Sequence, residues 1–239
     1  MDSTGSVTKP DTVESVEDTL GIASGFDDFD SLGVAAEAAQ AQRKRFLLIC
    51  DATSSMSTWW AQAQTALKKA VDEISSKSNT PFQVKVVAYR DHTCDEKPLE
   101  ESNWSNNTDY LKKFIEGIVS KGGGDHPESV GRGLACALQT NACLVILIGD
   151  APGRPESQGF EEATQLGQSK CPVYALYTDT YGGVKESFER IASLSGGKAM
   201  LLRDAKNMTD IFSALLAKMV FQIAYQATSI EAKKIMEEK

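Results

Sequence analysis

Two stretches of the chain are apolar at every position, not at every second or fourth one. They are Phe46-Leu47-Leu48-Ile49-Cys50, which runs into Asp51, and Cys143-Leu144-Val145-Ile146-Leu147-Ile148, which runs through Gly149 into Asp150. A short continuous apolar run fits a strand buried on both faces, as in the middle of a parallel sheet. Between and after these runs the apolar period lengthens to that of a helix. Trp60, Ala63, Leu67, Ala70, Val71 and Ile74 predict a helix over Ser57–Ser75, with Ser57 or Thr58 able to cap it. Leu111, Phe114, Ile115 and Ile118 predict another over Asp109–Val119, and Pro127 opens a third over Pro127–Gln139. Further helices are expected over 157–169, 184–195 and 207–224. Further strands are expected over Gln83–Asp91, 172–178 and 198–203, with a short edge strand over Lys97–Ser102. Strands alternating with amphipathic helices predict an α/β fold: a doubly wound, mostly parallel central sheet, helices on both faces and one short antiparallel edge strand.

Charge divides the chain differently. Nine of the 33 acidic residues and one of the 25 basic residues, Lys9, lie in residues 1–40, so residues 41–239 balance at 24 of each and the formal charge of −8 sits in the leader. The leader is rich in Ser, Thr, Asp, Glu and Gly and is predicted to be disordered over 1–31, with a short helix over 34–44 leading into the body. Phe26 and Phe29 interleave with carboxylates there; they read as a docking motif for a basic apolar groove or, on composition, as two aromatics in a solvated tail. The domain organisation expected is an acidic leader over 1–42, one domain over 43–222 and a helical tail over 223–239. A neutral body argues against nucleic acid as partner. No apolar run is long enough to span a bilayer, and the N-terminus lacks the basic and apolar segments of a signal peptide. Five widely spaced cysteines, three of them in or beside apolar strand-like runs, predict buried thiols and a cytoplasmic setting.

In an open α/β sheet, ligands bind beyond the carboxyl ends of the strands where strand order reverses. The polar residues of this chain gather at such ends. Asp51-Ala52-Thr53-Ser54-Ser55 puts one carboxylate and two hydroxyls at every second position of a turn; Asp150 ends the second buried strand, and Gly122-Gly123-Gly124-Asp125 forms a glycine-rich loop before the third helix. Asp51, Thr53, Ser55, Asp125 and Asp150 offer only hard oxygen donors, which suits Mg²⁺, or Mn²⁺ or Ca²⁺, and not zinc. A plainer reading has Thr53 and Ser55 cap the helix and Asp51 end the strand.

Several segments together resemble a known family. Asp51–Met56 with Trp59, Val87–His92, Gly122–Glu128 and the closing Ile191–Gly197 are similar to the motifs of von Willebrand factor type A domains, above all those associated with α-kinases in eukaryotes. The resemblance spans about residues 43–222. It implies a Rossmann-like fold, a metal-ion-dependent adhesion site at Asp51, Thr53, Ser55, Asp125 and Asp150, and a non-catalytic adaptor that binds another protein, with no nucleic acid or membrane as partner. Trp59, Arg90, His92 and His126 are candidate partner contacts, beside Phe26 and Phe29, although core packing for Trp59, a local salt bridge and loop turn for Arg90 and His92, and a surface or hydrogen-bonding role for His126 are the simpler readings. Two positions depart from the family pattern. Ser54 stands where such loops often have Gly. Asp125 stands where many type A domains place a Thr, which adds negative charge and implies a tighter ion, less receptive to a partner's carboxylate.

Two other functional classes fit parts of the pattern. A Mg²⁺-dependent phosphatase-like enzyme would use Asp51 as nucleophile, but Thr53 occupies the position two residues on where a second carboxylate would act as general acid. A scaffold whose metal site stays vacant is the other. Neither a phosphate-binding Gly-x4-Gly-Lys-Ser/Thr loop nor a Gly-x-Ser-x-Gly elbow occurs.

Overall fold

The computed structural model of the chain describes residues 44–77, 81–93, 95–124, 126–178 and 181–202. The predicted leader with its short helix, the 207–224 helix and the C-terminal tail lie outside these residues, as do Phe26, Phe29, Cys94 and Asp125.

Six strands form one sheet: β1 (Lys44–Asp51), β2 (Phe82–Tyr89), β3 (Leu99–Glu101), β4 (Leu144–Gly149), β5 (Val173–Tyr177) and β6 (Lys198–Leu201). Their order is β3-β2-β1-β4-β5-β6, parallel throughout except for the short β3, which runs antiparallel to β2. The helices are α1 (Trp60–Lys77), α2 (Thr108–Gly117), α3 (Val130–Leu138), α4 (Phe160–Gln168) and α5 (Val184–Ser195). This is the mixed, doubly wound sheet expected from the apolar runs.

The reason lies in how those runs divide. Phe46, Leu48 and Cys50 of β1 and Leu144, Ile146 and Ile148 of β4 point into one core, which α1 and α2 cover with Ala63, Leu67, Ala70, Val71, Leu111 and Ile115. Leu47 and Ile49, with Val145 and Leu147, point into the other, closed by Val130 and Leu134 of α3, Ala163 of α4 and Phe188 and Ile191 of α5. Each strand thus feeds two cores through the two-residue side-chain period of a strand. Trp60 seals the rim of the first core, its indole N–H donating to the Ile118 carbonyl at 3.2 Å.

Three helix starts fall later than the sequence pattern predicts. Ser57 and Thr58 do not cap α1; they belong to a 3₁₀ turn, Ser54–Thr58, that precedes it. Buried Met56 holds that turn through its N–H to the Thr53 carbonyl (3.2 Å) and its own carbonyl to the Trp59 N–H (2.9 Å). The third helix opens at Val130, not Pro127. The Glu128 N–H is committed to the Pro152 carbonyl (2.9 Å), and the Glu128 carbonyl accepts from the Arg154 N–H (2.9 Å), a short bridge between two loops that a helix at 128 would break. The fourth waits for Gly159, whose left-handed φ of 83° lets the chain turn out of the Arg154–Ser157 bridge.

Ile146 lies at the centre of β4, fully buried and paired with β1 and β5. Ile146→Ala should therefore cost about 2–5 kcal/mol by lost burial and the cavity left behind. Urea unfolding followed by circular dichroism measures it; a cost below about 1 kcal/mol would contradict a packed central strand.

Candidate metal centre

β1 and β4 are neighbours, yet the chain leaves β1 toward β2 and leaves β4 toward β5. Their carboxyl ends therefore flank the crevice where strand order reverses. Asp51 closes β1, Asp150 follows β4, and a ladder of oxygens joins them. The Thr53 hydroxyl donates to Asp51 Oδ1 (2.6 Å), as does the Thr53 N–H (2.8 Å). Thr53 Oγ1 lies 2.9 Å from Ser55 Oγ, and the Ser55 hydroxyl donates to Asp150 Oδ1 (3.0 Å). The structure thus brings together Asp51, Thr53, Ser55 and Asp150; Asp125 lies outside the described residues.

Protons are short in this ladder. Three oxygen–oxygen contacts link the four side chains, but Thr53 and Ser55 carry one hydroxyl proton each. With both carboxylates ionised, one contact has no proton in it. Asp51 Oδ2 and Asp150 Oδ2 are also buried without a hydrogen-bond partner. Burial, then the charge of Asp150, pushes the Asp51 carboxyl up to about 7 against the opposing hydrogen bonds of Thr53 and the nearby Tyr89 hydroxyl. Burial likewise raises Asp150, opposed by Ser55. Such a set must take up either a proton or a cation.

The glycine-rich loop is pinned over the ladder. The Ser54 N–H donates to the Gly122 carbonyl (3.0 Å), the Lys121 N–H to the Ala52 carbonyl (2.9 Å) and the Ser120 hydroxyl to the Thr53 carbonyl (2.6 Å). Asp95 Oδ2 holds the loop from the other side through the Gly123 N–H at 2.9 Å. Gly122 has a φ of 76° and no room for a side chain, since a Cβ there would sit 2.0 Å from Asp95 Oδ1.

Glu128 is the residue that the ligand reading of the sequence omits. Only 1% exposed, it belongs to the same polar cleft, and its Oε2 has no partner. Burial, followed by the charges of Asp51, Asp91 and Asp150, pushes its carboxyl up to about 9, with Arg154 opposing. The Gly122–Glu128 motif contains Glu128, but only the fold reveals that it turns toward Asp51 and not toward solvent. The cleft, about 360 Å³, is bordered by Thr53, Ser54, Ser55 and the glycine loop, and on its outer side by His126 and Tyr181. The two rings lie with centroids 3.5 Å apart.

A second Asp-x-Thr loop follows β2. Asp91 accepts from the Thr93 N–H (3.0 Å) and the Thr93 hydroxyl (2.8 Å), much as Asp51 accepts from Thr53. Here the cation is internal: Arg154 grips Asp91 with both arms of its guanidinium, Nε at 2.8 Å from Oδ1 and a terminal nitrogen on Oδ2. The candidate partner contacts fall unevenly around these loops. Arg90 is 3% exposed and bound to the Val119 carbonyl (2.8 Å) and Glu100 (3.1 Å), which removes its guanidinium from any open surface. His92 is half-buried, its N–H on Ser129 Oγ at 2.9 Å and its ring on the same hydroxyl. Trp59 packs against the α1-side core. Of the four, only His126 is exposed at the cleft.

Whether the residues fit a divalent ion turns on the donors. Two carboxylates with free inner oxygens, two hydroxyls lacking a proton between them, and no sulfur or imidazole in the ladder fit a hard cation. Among the described residues no three His, Cys, Asp or Glu side chains converge as a ligand group.

Comparison with known proteins agrees with this architecture. The sequence profile of the von Willebrand factor A domain matches residues 45–204. The ariadne-like RING finger protein R811 of Acanthamoeba polyphaga mimivirus is 32% identical over 178 residues, 65% of this chain but only 18% of that protein. Among solved structures, a von Willebrand factor type A protein from Catenulispora acidiphila superposes with a TM-score of 0.57 at 18% identity, over 75% of this chain and 43% of that one. The pilus adhesin SpaC of Lactobacillus rhamnosus GG, in an open conformation, superposes at 0.59 with 11% identity, over 75% and 30%. These two likenesses are of fold. The profile covers more than half of the chain, and the chain belongs to the von Willebrand factor A domain family.

Proposed function

We propose that this domain is a non-catalytic, divalent-metal-dependent protein-interaction module. Domains of this family commonly mediate protein interactions and are generally not enzymes. The ion, Mg²⁺ or else Mn²⁺ or Ca²⁺, would be held by Asp51, Thr53, Ser55 and Asp150, with Asp125 as a further ligand from the glycine loop. Bound there, it would supply positive charge and an oxygen-seeking coordination site at the floor of the cleft. The observation that carries this reading is the oxygen ladder with its missing proton and its two unpartnered Oδ2 atoms.

The chain's own residues set the rest. Thr53 and Ser55 orient the two carboxylates, the glycine loop closes over them, and Glu128 keeps the wall acidic. A phosphatase-like role is less well supported. Glu128 does provide the proton-bearing carboxyl missing at Thr53, but Asp51 is wholly buried beneath the hydroxyl ladder and absent from the cleft wall. A nucleophile must be within reach of its substrate. On the motifs of Asp51–Met56, Val87–His92 and Gly122–Glu128 we place the domain near those associated with α-kinases, and we infer an adaptor role in the cytoplasm. Cys50, Cys136, Cys143 and Cys171 are free thiols, in keeping with a reducing compartment. Among the described residues no helix is long and apolar enough to cross a membrane.

Saturating Mg²⁺ or Mn²⁺, at about a hundredfold excess over Kd, should raise the melting temperature of the chelated protein by about 5–10 °C. Asp51→Asn keeps an acceptor for Thr53 but removes the charge. It should melt at or above the metal-free wild type and gain nothing from added ion. An equal rise in both proteins would disprove the site. Affinity purification with and without chelator, comparing wild type with Asp51→Ala, then tests the function; partners captured equally in all arms would leave the interaction independent of metal.

The raised carboxyls also set a pH dependence. An acid whose folded pKa lies above its unfolded value leaves the folded state holding more protons, so stability falls as pH rises between the two values. For Asp51 the window runs from 3.8 to about 7 and for Glu128 from 4.5 to about 9. The metal-free protein should therefore lose stability from about pH 4 to 9 at these two groups. Thermal melts in chelator should show a flatter profile for Glu128→Gln, and Mg²⁺ should flatten the wild-type profile. A wild-type melting temperature rising across this range would contradict the assignment.

A further inference from the structure

Residues 118–124 belong to no helix or strand, and 122–124 are glycines with no side chain to pack. Backbone hydrogen bonds therefore decide where this loop lies along the cleft. On the ladder side it hangs from the turn after β1, through Ser120 to Thr53, Lys121 to Ala52 and Ser54 to Gly122. On the far side the Gly123 N–H donates to a side chain that stands outside the ladder, that of Asp95.

Asp95 is itself a fixed point. Its Oδ2 accepts two backbone N–H groups, from Gly123 at 2.9 Å and from Asp91 at 3.1 Å, and its own N–H donates to the Asp91 carbonyl at 2.9 Å. Asp91 is gripped by Arg154, whose backbone N–H donates to the Glu128 carbonyl. The loops after β2 and β4 thus anchor the carboxylate from which the glycine loop is held. There is little play between the anchor and the ladder. A Cβ at Gly122 would sit 2.0 Å from Asp95 Oδ1, and one at Gly123 would sit 3.0 Å from the Thr53 Cβ. The two glycines are wedged between Asp95 and Thr53, so the place of Asp95 fixes how closely the loop lies on the ladder.

We propose that Asp95 is a positioning residue of the ion site: it is not a ligand, and through the Gly123 N–H it holds the glycine loop against Thr53 in the arrangement that receives the ion. This rests on the metal reading and adds to it a residue outside the ligand set that governs ion affinity. Loss of a group that only orients a metal site typically weakens the metal about 10–100-fold. The clamp needs an acceptor oxygen from residue 95, which the amide of asparagine also supplies.

The test uses the full chain, ¹⁵N-labelled. Hydrogen exchange at Gly123 in chelator reads the clamp with no ion involved. It should quicken about tenfold in Asp95→Ala, the loss of one hydrogen bond to a carboxylate, and stay within about threefold of wild type in Asp95→Asn. Mg²⁺ is then titrated into each protein and followed at the Ser55 and Gly123 amides. Its Kd should rise about 10–100-fold in Asp95→Ala and less than about threefold in Asp95→Asn. Asp95 is half-buried in a loop, so its truncation leaves both cores intact. Gly122→Ala drives a methyl group at the same carboxylate and should weaken Mg²⁺ by a factor comparable to Asp95→Ala. If Mg²⁺ moves no amide of the wild type, the metal reading fails and the proposal falls with it. Three other results would overturn the positioning role and leave the metal reading in place. They are Mg²⁺ bound as tightly by Asp95→Ala as by wild type, Gly123 exchange unchanged in that variant, and Asp95→Asn weakened as much as Asp95→Ala.

Discussion

Everything at the carboxyl edge of this sheet is arranged around a shortage of positive charge. Two parallel strands running side by side deliver Asp51 and Asp150 to one crevice, and the fold buries both completely. Two hydroxyls bridge them but bring only two protons to three contacts. Buried carboxylates with unpaired oxygens destabilise a fold unless a proton or cation joins them, because the charged form has lost its water. A protein that needed only a stable sheet end would have little use for this arrangement. Under the proposed metal-binding function, it would have the ligands in place before the ion arrives.

The surroundings show where that preorganisation comes from. The turn carrying Thr53 and Ser55 is tied to the glycine loop by backbone bonds on both sides, Ser54 to Gly122 and Lys121 to Ala52. Asp95 links the loop after β2 to the same glycines, and Arg154 links the loop after β4 to Asp91. Three loops from three strand ends are thereby cross-braced below the cleft. The Asp91–Arg154 pair offers a comparison: the same Asp-x-Thr turn there carries a resident guanidinium and braces two loops, whereas no arginine lies across Asp51 among the described residues.

Much of this could be read from the residues. The apolar runs at 46–50 and 143–148 identify the central strands because burial on both faces leaves no polar alternation. Asp51, Thr53, Ser55 and Asp150 came from the rule that polar residues at the ends of such strands face a common crevice. Less legible were features set by contacts distant in sequence. Glu128 lies in a visible motif, but its burial depends on the bridge to Pro152 and Arg154, which also delays the third helix to Val130. Arg90 after its strand is read more simply as a local salt bridge than as a partner contact, and its ion pair with Glu100 agrees, while its bond to the Val119 carbonyl is a contact that sequence does not show. Ser57 and Thr58 had the right chemistry for a cap, yet the burial of Met56 converted that segment into a 3₁₀ turn. Local propensity loses in each case to a backbone or core contact made elsewhere.

The depth of the acids also bears on what the site can do. Asp51 and Asp150 lie under Thr53 and Ser55, so any group approaching through the cleft meets hydroxyls, glycine backbone and Glu128 before it meets either aspartate. That geometry suits an ion gripped from below and contacted from above, in which the protein shapes the field and the approaching partner responds to it. It suits bond-making at Asp51 poorly, because a nucleophile sealed beneath its own hydrogen-bond donors cannot meet a substrate without dismantling the turn that positions it. The same burial that leaves both acids with unpartnered oxygens therefore favours the proposed binding role over catalysis at Asp51.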